Sequence, residues 1–292
     1  MTGSTALDRV AAAPVALTMS QSTAIEQARA VAEVQAAVTV AQACPRDMGR
    51  AWAEMQQACS RLSLAQRAFY TVTNRGTGPS VHLARELARI WGNLDYGVRE
   101  LRRDDERGES EIQAFAWDQQ TNVRSTRSLI VPHARMKKVN GQQTRERLID
   151  LTDVYLNNQN VGARAVRECL FTVMPADFVA EAQDLCRTTI RNGDGRPLRE
   201  RIASMVGGFA ELGVTQLQIE TRLNRKKGQW TADDVADLGV VFSSIKRGET
   251  TAVAEFPQER VTVAEVAGRP AAPEGADGWP EAARPADAAA ES

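Results

Sequence analysis

Apolar residues recur every three to four positions through the first quarter of the chain and then change to alternation in the middle, so the pattern divides the chain into helical, strand and helical parts. Ile25, Ala28, Ala32, Gln35 and Val38 share one side of a predicted helix from Ser22 to Ala43, with Ser22 or Thr23 and Glu26 as its cap and Cys44-Pro45 as its stop. A second helix is predicted from about Asp47 to Thr73, because Trp52, Met55, Cys59, Leu62, Ala65 and Phe69 form one stripe at spacings of three and four. Asn74–Pro79 then reads as a loop, and Ser80 caps a third helix through Ile90 or Trp91.

The period becomes two at Leu94, Tyr96 and Val98 and again over Glu111–Trp117, with a charged, Gly-containing turn at Arg102–Gly108 between them. A polar turn at Asp118–Asn122 leads into a third strand from about Arg124 to His133. Three strands joined by short turns predict an antiparallel β-meander. Helices follow from Leu151 to Met174, with a bend expected near Asn157–Asn160, and from Pro175 through Ile190. Past the breaker Asn192–Pro197 come three amphipathic pieces: Leu198–Leu212, Thr215–Leu223 and Thr231–Lys246. The expected fold is therefore α+β, with N-terminal helices, a three-stranded antiparallel β-meander followed by a long helix, and a small C-terminal helical domain. The expected divisions are a disordered N-terminus over 1–21, a core over 22–191, a helical domain over 198–247 and a disordered acidic tail over 255–292.

Charge changes this picture most at the tail. The 292 residues are nearly neutral, but Glu255–Ser292 carries eight acids against three arginines and leaves a mildly basic body. Hydrophobic content of 43% and charged content of 25% are those of an ordinary soluble chain. Cys44, Cys59, Cys169 and Cys186 are too far apart for a zinc or redox motif and read as buried small hydrophobes of a reducing compartment. No apolar run approaches the ~20 residues that cross a bilayer, and the N-terminus lacks a secretory pattern. Cytoplasmic location, in the host cell if the protein is phage-encoded, is the expectation.

Between Gln119 and Arg147 seven cations (Arg124, Arg127, Arg135, Lys137, Lys138, Arg145, Arg147) face one acid, Glu146. Such a local excess in a near-neutral protein points to a polyanion. The plainer reading is a solvated loop beside a strand. Arg164 and Arg167, three apart on the following helix, extend the track, and Arg suits phosphate because its planar fork bridges two oxygens. His133, inside the track, is expected to meet phosphate. Phe115 and Trp117 fall on one side of their strand and are candidates for base stacking, although aromatic residues in strands are more often core. The polar Glu111 and Gln113 share that side while Ile112, Ala114 and Ala116 occupy the other, so the alternation is compatible with either side facing the core. A second basic cluster, Arg222, Arg225, Lys226 and Lys227, is a second nucleic-acid contact, a charged loop or a docking site for a partner.

Catalytic chemistry has little support. His82 reads as a surface or packed helical residue, and no Gly-rich phosphate loop ending in Gly-Lys-Ser or Gly-Lys-Thr is present. Glu100, Glu109, Glu111 and Asp118 have the chemistry to bind Mg²⁺ but lack the neighbouring Lys a nuclease would want. No cofactor is required; a Mg²⁺-dependent nuclease on these acids and a virion structural or scaffolding protein are the alternatives.

Three strings, Gly78–Asn93, Ser110–Asn122 and Asn160–Leu170, give the chain a resemblance to phage and prophage proteins related to the RecT and Redβ single-strand annealing proteins. The likeness spans roughly Ile25 to Ile190. It implies an ATP-independent, non-catalytic protein that coats single-stranded DNA and pairs it with a complementary strand during phage recombination, with a β-β-β-α core and assembly as a homo-oligomeric ring or helical filament. Carried over by position, Arg124–Arg147 and the helix bearing Arg164 and Arg167 would line a basic DNA groove. The C-terminal helical domain would contact a single-strand-binding protein or an exonuclease. No membrane partner is implied.

Overall fold

Helix α1 (Gln21–Ala43) opens the described structure, and Ser20 rather than Ser22 or Thr23 caps it, its Oγ accepting the Thr23 N–H at 3.2 Å. The computed structural model describes residues 20–73, 75–139 and 142–256, with side chains throughout except at 137–139 and 142–143. The expected stripe of α1 does not face a core. Ile25, Ala28, Ala32 and Gln35 are exposed, Val38 is half-buried and only Ala41 of the helix is buried.

Asp47 caps α2 (Met48–Cys59), which turns Met55 and Cys59 fully inward. The helix stops at Cys59 instead of continuing to Thr73. After the single turn of α3 (Leu62–Ala65), Phe69–Val72 forms strand β1 and pairs antiparallel with β2 (Gly76–Pro79), so much of the expected loop is also strand. Aromatic and β-branched residues in Phe69-Tyr70-Thr71-Val72 favour extended backbone, and burial of Phe69 and Thr71 on one side rewards it. Gly76, at φ +85°, supplies the left-handed residue where the chain enters β2. Helix α4 (Val81–Trp91) starts as expected at Ser80, whose Oγ accepts from the N–H groups of His82 and Leu83. Leu83, Leu87 and Trp91 form its buried stripe, each such side chain contributing on the order of 1.5–3 kcal/mol.

The meander consists of β3 (Leu94–Asp104), β4 (Glu109–Asp118) and β5 (Val123–Pro132), antiparallel in that order. Positive φ at Gly108 and Asn122 makes the two turns, and β3 is irregular between Glu100 and Arg102. Ile112, Ala114 and Ala116 are fully buried, which decides the side the alternation left open. They meet α5 (Leu151–Val173), which comes so near that a Cβ on Gly162 would lie 2.6 Å from Val98 Cγ2. No break interrupts α5 at Asn157–Asn160. Asn158 is buried there, its Nδ2 donating to Glu100 Oε2 at 3.0 Å.

Between β5 and α5, where a loop is expected, lies a further pair of strands. Strands β6 (Ala134–Val139) and β7 (Gln142–Arg147) pair antiparallel with each other as a separate two-stranded hairpin. Helices α6 (Ala176–Asn192), α7 (Leu198–Glu211), α8 (Gln216–Leu223), α9 (Ala232–Lys246) and α10 (Ala252–Glu255) complete the body. Thr215 with Gln218 and Thr231 with Asp234 form capping boxes on α8 and α9. The C-terminal helices share a core of their own, including Phe209, Ile219, Trp230 and Leu238, while Val240 of α9 joins the larger core and Ser244 of α9 accepts the Thr71 N–H of β1.

The folded body runs past the expected tail boundary at 255. Phe256 is 2% exposed against Phe209, and the buried Glu255 carboxylate accepts from Thr73 and Thr250 and pairs with Arg222 at 2.7 Å. At the other end Ser20 and Gln21, inside the expected disordered N-terminus, are the cap and first residue of α1; the rest of the expected disordered segments lies outside the described residues. Cys59, Cys169 and Cys186 are buried as expected, but Cys44, beyond the end of α1, is exposed. No helix among the described residues is long and apolar enough to cross a membrane.

Candidate nucleic-acid interface

The sheet is pinned at one end by a buried ion pair. Arg46, in the segment between α1 and α2, donates through Nη2 to Asp118 Oδ2 at 3.0 Å, and the two side chains are 5% and 2% exposed. The same guanidinium donates to the Trp91 and Gly92 carbonyls at 2.6 and 3.0 Å and lies over the Trp91 ring. Asp118 also accepts the Trp91 Nε1–H and, through Oδ1, the N–H groups of Gln120 and Thr121. One carboxylate thereby ties the end of α4 and the β4–β5 turn to the approach to α2.

The basic run is divided by the fold. Arg124 and Arg127 on β5 are exposed but belong to opposite faces, since Arg124 is in register with Trp117 and Arg127 with Ala114. His133 is not a phosphate contact. It is 4% exposed, with Nε2 2.8 Å from Ser110 Oγ and Nδ1 3.8 Å from Asp105 Oδ1. Its backbone donates to the Gly108 carbonyl and accepts from Leu148, so His133 anchors the base of the β6–β7 hairpin to the β3–β4 turn. Burial at the bend between β5 and β6 decides this, which a count of local charge does not register.

Arg135, Lys137, Lys138, Arg145 and Arg147 all lie on that hairpin. Arg135 pairs across it with Glu146 at 2.9 Å, Arg145 and Arg147 are exposed, and Arg147 donates to the Asp105 carbonyl at 3.3 Å. By backbone register Lys137 stands opposite Thr144 and Lys138 opposite Gln143; their side chains lie outside the described ones. On α5, Arg164 is exposed, whereas Arg167 lies over the Tyr70 ring and pairs with Glu168 at 2.8 Å. The helical spacing put the two arginines near one another but did not reveal that Arg167 is engaged.

The sheet face opposite α5 carries the aromatic pair. One cross-strand row is Gly97–Phe115–Thr126 and the next is Asp95–Trp117–Arg124. Arg124 lies over the Trp117 ring with 4.5 Å between guanidinium carbon and centroid, and Arg99 lies over Phe115 at 4.3 Å. Trp117 is 5% exposed and donates its Nε1–H to Asn122 Oδ1 at 3.1 Å. The aromatic faces expected to meet bases directly are thus covered by arginines. Arg99 was not among the expected contacts; its register one row from Phe115 is the signal that could have found it.

The acids with Mg²⁺-binding chemistry are not brought together. Glu109 and Asp118 begin and end β4, about 30 Å apart at ~3.3 Å per residue. Glu111 lies on the open face, while Glu100 pairs with Arg103 at 2.9 Å and holds Asn158. No cluster of three metal-ligating side chains occurs among the described residues. His82 lies beside Arg67 at 3.0 Å, and burial followed by the charges of Arg67 and Arg247 pushes its pKa below the usual histidine value. In the second basic cluster Arg222 pairs with Glu255, Arg225 with Asp234 and Lys226 with Glu220. The Lys226 and Gln216 hydrogen bonds hold the Glu220 carboxyl down to about 2. Comparison with family models, with curated proteins and with solved structures finds no match for this chain.

Proposed function

We propose that this chain binds single-stranded DNA and anneals it to a complementary strand without ATP, as phage recombination proteins of the RecT and Redβ type do. The observation that carries the reading is the β6–β7 hairpin, a separate two-stranded element with five cations against one acid. A single strand gains affinity there by releasing counterions from its phosphates, and no bond is made or broken. The three-stranded sheet with α5 across one face supports a β-β-β-α core in which the hairpin is an insertion between the third strand and the helix. In this reading copies assemble as a ring or filament in the cytoplasm, require neither metal nor cofactor, and use the C-terminal helices to meet a single-strand-binding protein or exonuclease.

The test follows annealing of two labelled complementary oligonucleotides without nucleotide, together with a salt titration of single-strand binding. Wild-type affinity should fall with a log–log slope of about −0.7 per neutralised phosphate. Replacing Arg145 and Arg147 with Gln should flatten the slope by about 0.7 for each phosphate that is no longer neutralised. Affinity indifferent to salt, or no annealing above the spontaneous rate, refutes the proposal.

A further inference from the structure

Several arginines of the body pair with a carboxylate, among them Arg46, Arg89, Arg103, Arg222, Arg225 and Arg247. Arg99 and Arg124 differ. Both are exposed, each lies over an aromatic ring, and neither makes a hydrogen bond or ion pair with any other described residue. A guanidinium over a ring keeps its charge, an outer planar face and in-plane N–H groups free to take a ligand. Asp95 is the one acid in the two rows that contain the rings.

Phe115 and Trp117 are two residues apart on one side of β4, so their positions are separated by about 6.8 Å. Stacked bases in a duplex strand rise only ~3.4 Å. Neighbouring bases seated one on each arginine could not remain stacked on each other. The spacing of the two rings therefore suits a stretched single strand.

We infer that the Arg99–Phe115 and Arg124–Trp117 pairs are two adjacent platforms, each taking one nucleobase of a stretched single strand on the outer face of its guanidinium while the N–H groups meet the flanking phosphates. This rests on the single-strand-binding reading and deepens it. Bases held this way are separated from their neighbours and present their pairing edges, which an incoming complementary strand requires.

The decisive comparison uses the full chain with a fluorescent oligothymidylate and an abasic oligonucleotide of the same length, which keeps the phosphates and removes the bases. Stacking on two platforms should make wild-type binding to the base-bearing strand tighter by at least about tenfold. The double variant Arg99→Lys/Arg124→Lys retains charge but loses both planar faces, and should bind the two oligonucleotides alike, near the wild-type affinity for the abasic strand. Equal wild-type affinity for both strands overturns the platforms while leaving charge-driven binding in place. Failure of the wild type to bind either strand at low salt overturns the binding reading and the platforms with it. The wild-type comparison needs no variant, so a poorly folded double variant does not protect the inference.

Discussion

Replacing Arg46 with Met should lower the stability of the body by about 3 kcal/mol, the low end of the ~3–5 kcal/mol by which removing one partner of a buried ion pair destabilises a protein. Met keeps an apolar stem over Trp91 but leaves the Asp118 carboxylate, 2% exposed, without its cation. The low end applies because Asp118 retains the Trp91 indole N–H and the N–H groups of Gln120 and Thr121. For a body of this size the loss corresponds to a fall in melting temperature of roughly 6–12 °C. Burial alone would raise the Asp118 pKa, but the Arg46 hydrogen bond and charge and the two backbone N–H groups together hold it below the ordinary value. A carboxyl lowered on folding stabilises fully above its unfolded pKa, about 3.9, and that stability is lost as pH falls through the folded value. Urea unfolding at pH 7 should therefore show the full gap between wild type and Arg46→Met, and the gap should narrow toward pH 3. A loss at neutral pH below about 1 kcal/mol, or parallel pH profiles for the two proteins, would refute the reasoning.

Gly162→Ala should destabilise by about 1–3 kcal/mol, because the added methyl meets Val98 Cγ2 at 2.6 Å where α5 crosses β3. Thermal melts should show part of the loss recovered when Val98→Ala is added; no recovery would mean that the close approach is not the cause. Phe256→Ala, inside the stretch the composition reads as tail, should cost about 3–5 kcal/mol, since the ring is buried against Phe209 with centroids 5.0 Å apart. An unchanged melting temperature would show that the body ends before Phe256.

The acidic composition after Glu255 places Phe256 in the expected tail. A single aromatic that closes a core is invisible to a composition window, and only its position against Phe209 and beneath Arg222 reveals it. The candidate interface shows the same division. The cations of the hairpin were legible as a local charge excess, but Arg99 lies outside that run and His133, within it, is buried.

What the sequence by itself determined is what depends on near neighbours: the cap at Ser80, the helix starts near Thr215 and Thr231, the period-two strands of the meander, its antiparallel order, and the amphipathic helices that follow. These features rest on hydrogen bonds and side-chain spacings within a few residues, so a linear pattern records them. Only the tertiary structure decided which side of β4 is core, that Phe69–Val72 leaves the helix for a strand against α9, and which cations remain available. The reason is that burial and pairing depend on partners distant in the chain. Arg46 finds Asp118 across 72 positions and Thr71 finds Ser244 across 173, whereas Arg99 and Arg124 find only a ring and solvent.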